Sequence, residues 1–153
     1  MGNTGAARQP IGRRFVTVAD PGAVDWQFVL PAGFDWKFII GTALLVCSAT
    51  AGNRFPGFQV WDNLSGSPGF GGGNRIVYGV PAQWTFGPST TNDIHYLGSE
   101  TVEQAQLNQW ACPVPSAILP AGWTIGSEVL PKAGDHWSQI CFMLEAYAPL
   151  QSV

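Results

Sequence analysis

The sequence predicts an all-β fold, a two-sheet antiparallel sandwich, on three observations. Apolar residues recur with period two through most of the chain, and no stretch sustains a helical period. Gly and Pro punctuate the apolar segments at short intervals, which marks turns between strands. Eight or nine strands are expected. Long connections, and one strand expected to pass between sheets, favour a jelly roll over an immunoglobulin-type sandwich. The Cys–Trp–Cys spacing of immunoglobulin domains is not evident.

Residues 1–13 read as a polar, extended N-terminal arm, and 14–153 as a single sandwich domain. Arg14–Ala19 is the first predicted strand, ended by Asp20-Pro21-Gly22. In Asp25–Leu30 the side chains of Trp26, Phe28 and Leu30 share one face. Asp35–Thr50 is the most apolar segment, and it is too long for one straight strand in a small domain. Gly41 is the expected bend, where the strand turns towards the other sheet. Beyond Ile39 both faces of this segment are apolar, so the outer one needs a cover of loops or a partner. Phe58–Asp62, Arg75–Val80 and Ile94–Leu97 follow as strands, with Ile76, Tyr78 and Val80 facing inward. Leu64–Asn74 and Pro88–Asn92 read as loops. Thr101–Trp110 carries a capping box at Thr101 and Gln104 with a weak helical pattern, and is read as extended. Ile118–Leu130 and His136–Tyr147 both alternate across the polar break at Pro131–Asp135, and are expected to pair with each other. In the second, Ile140, Phe142, Leu144 and Ala146 are the core face. The turn Leu30-Pro31-Ala32-Gly33-Phe34 is echoed by Leu119-Pro120-Ala121-Gly122-Trp123, which suggests two matched corners.

Hydrophobic content is an ordinary 46%, whereas charged residues make up only 11% of the 153, against about 25% in typical soluble domains. A surface so poor in charge favours association with protein, and seven Trp and nine Phe point the same way. Net charge is −3, which gives no general attraction to nucleic acid. The three arginines of the N-terminal segment, Arg8, Arg13 and Arg14, lie before a body with four basic and ten acidic residues. An arm of this kind is ordered only where a surface holds it. Carboxylates of another copy or of a different protein are the expected surface. Trp137, Met143 and Tyr147 on the last strand join the three arginines as candidate partner contacts. Cys47, Cys112 and Cys141 have no ligand or redox spacing and read as small buried hydrophobes of a reducing compartment. No secretory signal or membrane span is evident, so a soluble protein is expected.

No catalytic constellation emerges. Gly69–Asn74 lacks the Lys and Ser/Thr of a phosphate loop. Asp135, His136 and Ser138 hold the residue types of a hydrolase triad, but neighbours on a strand point to opposite faces. His95 and His136 have no ligand-spaced companions, so no metal and no cofactor is expected. Glu100 with Glu103, or Asp62 with Glu145, could supply a carboxylate pair only if the fold brought them together.

The two corner segments combine with Thr50-Ala51-Gly52-Asn53-Arg54, Ile76-Val77-Tyr78-Gly79-Val80 and Ala133-Gly134-Asp135-His136-Trp137-Ser138. Together they resemble small virion proteins of tailed bacteriophages, notably jelly-roll capsid decoration (cement) proteins. The likeness runs from about Trp26 to Tyr147 and identifies no site. It implies a non-enzymatic protein assembled in the host cytoplasm and carried on the outer capsid surface. Such a protein binds the major capsid protein and copies of itself, as homodimer or homotrimer. Two other readings stay open. One is a tail or head-completion protein of the same virion. The other is a carbohydrate-binding sandwich using Trp61, Trp84 or Trp110 as a stacking platform.

Overall fold

The computed structural model describes residues 7–55, 57–62, 74–79, 85–97, 109–114 and 116–150. Within them the chain is all-β, in two sheets. The strands are β1 (Pro10–Val18), β2 (Gln27–Val29), β3 (Asp35–Val46), β4 (Gly57–Trp61), β5 (Arg75–Gly79), β6 (Thr91–Leu97), β7 (Gln109–Pro113), β8 (Ile118–Leu119), β9 (Thr124–Ser127) and β10 (His136–Tyr147). One sheet runs β1-β10-β3-β6-β7, with β8 added beside β3, and the other runs β2-β9-β4-β5. All pairings are antiparallel except β6 with β7.

The inner faces of the two sheets meet in one aromatic core. Trp26 stacks on Phe142 at 5.6 Å, and Phe58 of the second sheet packs edge-on against Phe38 of the first at 5.2 Å. Offset and edge-to-face contacts of this kind add to the apolar area that the rings bury. Across the first sheet an inward row runs Val16, Phe142, Gly41, Tyr96 on four neighbouring strands. Gly41 leaves the gap that the rings fill. A Cβ there would lie 2.7 Å from that of Phe142 and 2.8 Å from the Phe38 ring. Glycine is therefore required by close approach, and β3 stays in the first sheet along its whole length instead of crossing at Gly41. The irregularities are register shifts against β10, one of them at Gln139, whose φ is +52°.

One expectation about pairing and one about facing are corrected. Thr124–Ser127 and His136–Tyr147 are not partners. β9 bonds to β2 and β4 in one sheet, and β10 to β1 and β3 in the other. Residues 128–135 carry the chain between sheets, through positive φ at Leu130 and Gly134. Ile76 is not inward either: it is 51% exposed on β5, which ends its sheet among the described residues. The side chains of Tyr78 and Val80 lie outside what is described. So do the capping-box residues Thr101 and Gln104. The matched corners do meet. Leu30 N donates to Trp123 O at 2.8 Å and Gly122 N donates to Leu30 O at 2.9 Å, with positive φ at both Gly33 and Gly122.

Candidate functional site

The candidate site is the outward face of the first sheet and its β1 edge. Period two sends every second residue of β10 outward, and the register aligns these with outward residues of β1, β3 and β6. One outward row is Phe15, Met143, Ile40, Leu97, wholly apolar. The next is Thr17, Cys141, Thr42, His95. Phe15 is 65% exposed and Ile40 49%. Between the rows lies a shallow groove of about 250 Å³, lined by Phe15, Ile40, Thr42, His95, Cys141 and Met143 above the backbone of Gly41 and Phe142. At its β6 side Thr42 donates to Asp93 Oδ1 at 3.0 Å, and His95 Nε2 lies 3.1 Å from Asp93 Oδ2. The outer face of β3, expected to need a cover, is thus the floor of an open apolar strip.

A charged border flanks the strip, where Arg13, Glu145 and Lys37 stand side by side. Arg13 donates from Nε and Nη2 to Glu145 Oε1 at 3.1 and 2.9 Å. Tyr147 donates its hydroxyl to Glu145 Oε2 at 3.1 Å. Burial opposes ionisation of Glu145, but those hydrogen bonds and the neighbouring charges outweigh it and hold the carboxyl below its ordinary range. Arg8 donates to Asp35 Oδ2 at 2.7 Å and to the Ala148 carbonyl, and its guanidinium lies over the Tyr147 ring at 5.7 Å.

These contacts revise the expected arm. β1 begins at Pro10, so residues 10–13 belong to the sandwich, and residues 1–6 lie outside the description. The acids that meet Arg8 and Arg13 are in the same chain, far away in sequence, which is why no local partner was visible. Arg14, exposed, makes no ion pair among the described residues. Of the three aromatic and sulfur candidates on β10, only Met143 is on the accessible face. Trp137 is buried in the core, with its Nε1 donating to Val24 O at 2.9 Å, and Tyr147 is buried beneath Arg8. Both are removed from the contact surface: the bulge at Gln139 turns Trp137 into the core, and Tyr147, on the same side of β10 as Glu145, is covered by Arg8.

Other clusters seen in the sequence have structural occupations. Asp135 is buried and paired with Arg54, while His136 is exposed, so the two point apart. Asp62 binds Asn74 through both backbone and side-chain nitrogens, and Glu145 binds Arg13, so these acids do not form a pair. Glu100, Glu103 and Trp84 lie outside the described residues. Trp61 is 9% exposed and sits under the Arg75 guanidinium, which is itself bonded to Glu128. Trp110 packs on Phe86 and donates to Asn92 Oδ1. Neither presents an open face for stacking on a sugar. Cys47 and Cys112 are buried as expected, whereas Cys141 is half-exposed in the groove. Among the described residues no three His, Cys, Asp or Glu side chains converge as metal ligands. No helix is long and apolar enough to cross a membrane among them.

Comparison with family models, curated proteins and solved structures finds no match for the chain. The site therefore stands on its own geometry.

Proposed function

We propose that this chain is a non-enzymatic virion structural protein of the capsid decoration type, docking on the major capsid protein through the outward face of its first sheet. The observation that carries the reading is the apolar row Phe15, Met143, Ile40, Leu97 on a surface otherwise poor in charge. Burying such a row against a partner is favourable at about 25 cal/mol per Å² of apolar area, which leaving it in water forgoes. Many copies on one lattice would add modest contacts through multivalency. The strand order supports a jelly roll. β1 pairs with β10, β2 with β9, β3 with β6 and β4 with β5, a nested set of antiparallel pairs. Folding such a set over itself makes the two-sheet roll.

Sedimentation of the purified chain with shells of the major capsid protein from the same genome tests the reading. Saturable binding is expected, and Ile40→Glu should abolish it while leaving the melting temperature near that of wild type. Wild-type chain that remains at the top of the gradient overturns the proposal.

A further inference from the structure

The edge of the first sheet adds a second feature to the apolar face. β1 bonds to β10 along one side, and among the described residues nothing pairs with the other. An unpaired strand edge is a template for another strand, and folded proteins usually blunt it with short length, proline, bulges or charged side chains. Here proline and irregular register protect only the start, and the charges beyond it are arginines, which repel a second copy of the strand but not an acidic one. Pro10 and a register shift lie at the start, but from Gly12 to Val18 the pairing with β10 is unbroken. This run carries Phe15 exposed on the outward face, and Arg13 and Arg14 side by side on opposite faces.

We propose that the free edge of β1 takes an extended, acidic segment of a partner protein as an added strand. The inference deepens the docking reading above by naming the form of the partner. The charge pattern chooses the occupant. Two copies of β1 paired antiparallel about the middle of the strand would set Arg14 against Arg14, and like charges directly opposite are destabilising. A strand with a carboxylate opposite Arg14 instead supplies the counter-charge that the residue lacks among the described residues. An apolar side chain next to that carboxylate would stand opposite Phe15 and lengthen the row of Phe15, Met143 and Ile40 by one position. Main-chain hydrogen bonds then give affinity, and these two side-chain positions give selectivity.

The test uses the full chain and two synthetic peptides of about ten residues, a common strand length. Both alternate Val and Thr. One carries Glu at its central positions and the other Lys. The Glu peptide should slow amide hydrogen exchange in β1, and methylation of alternate peptide nitrogens should abolish the effect. The Lys peptide should bind about fivefold more weakly or worse, as expected for exchange of an exposed ion pair for a repulsive one. Arg14→Glu should reverse the preference, and if that variant does not fold, the two peptides on wild-type chain decide alone. Equal affinity for the two peptides, or no protection of β1 by the Glu peptide, overturns the proposal. So does a dimer of the chain alone with β1 amides protected, which would give the edge to a second copy. A chain that binds the Glu peptide yet ignores capsid shells overturns the virion reading and leaves this one standing.

Discussion

Arg54 and Asp135, 81 residues apart, form a bidentate ion pair with both side chains fully buried. Nε meets Oδ2 at 2.8 Å and Nη2 meets Oδ1 at 2.5 Å. Asp135 also accepts from Lys132 N and from the backbone and hydroxyl of Ser48, while Arg54 Nη1 donates to the Thr50 and Gly52 carbonyls. The pair therefore ties the segment after β3 to the segment before β10, and every partner it needs comes from those two loops.

Removing one member should be severe. Asp135→Asn or Arg54→Met leaves the other group buried without its counter-charge, at a cost of about 3–5 kcal/mol. Urea unfolding of each variant measures it. The pH dependence follows in sign. Burial raises the pKa of Asp135, but hydrogen bonds from Arg54, Lys132 and Ser48 outweigh it and hold the carboxyl well below its ordinary 3.8. Its contribution is complete above about pH 4 and is lost as pH falls below that, because the unfolded state then binds the extra proton. Wild type should lose stability steeply in acid, and Asp135→Asn should lack that part of the slope.

Asp25 should act in the opposite sense. Burial pushes its pKa up to about 6, against hydrogen bonds from Ser127, Val129 and Leu130, with Glu128 adding to the rise. The folded state then holds a proton that the unfolded state has released between the ordinary value of 3.8 and about 6. Stability from this group declines as pH rises through that window and is constant above it. Proton uptake on folding, measured by calorimetry near pH 5 in two buffers, should fall by about one proton in Asp25→Asn.

Phe142 and Phe15 should separate core from surface. Phe142 touches the Trp26, Phe28 and Phe38 rings, and Phe142→Ala should cost about 3–5 kcal/mol by urea unfolding. Phe15→Ser, on the exposed face, should change stability by about 0.5 kcal/mol or less. Its effect should appear in binding to shells instead. A nearly neutral Phe142→Ala would mean that the faces of β10 are exchanged.

The thiols should react in order of exposure. Cys141 lines the groove, and native chain should lose this one thiol to a maleimide. Cys112 is buried, its pKa pushed up to about 12 by burial, and it should react only after unfolding, as should Cys47. Peptide mapping after brief labelling distinguishes the three. Cys141 labelled no faster than Cys112 would show that the groove is covered.

Much of the core was legible because alternation reports local geometry. Trp26, Phe142 and Leu144 fell on the inner face by period two alone. Partnership was not legible. The short polar break before His136 looks like a hairpin turn, yet β9 and β10 belong to different sheets, since pairing is set by contacts across the whole chain. Ile76 has the pattern of a core residue, but pattern does not reveal that β5 is an edge. The candidate site was half legible. Met143 and the arginines were singled out from charge and alternation, whereas Phe15 and Ile40 became a surface only once four strands were in register. Arg54 with Asp135 was invisible for the same reason as Arg13 with Glu145: the partners are distant in sequence.

The position of β10 between β1 and β3 also fixes when the molecule can be finished. Its first sheet has its second strand missing until residue 147 has been made, and among the described residues β1 has no other neighbour in that sheet. A ribosome-bound chain can therefore display β1 and the core rings but cannot cover them. Closure must join strands more than a hundred residues apart, which puts the chain among slow, high-contact-order folders. Nascent copies crowded on one message would expose the same unpaired strands to one another, so chaperone demand should peak before β10 has been made.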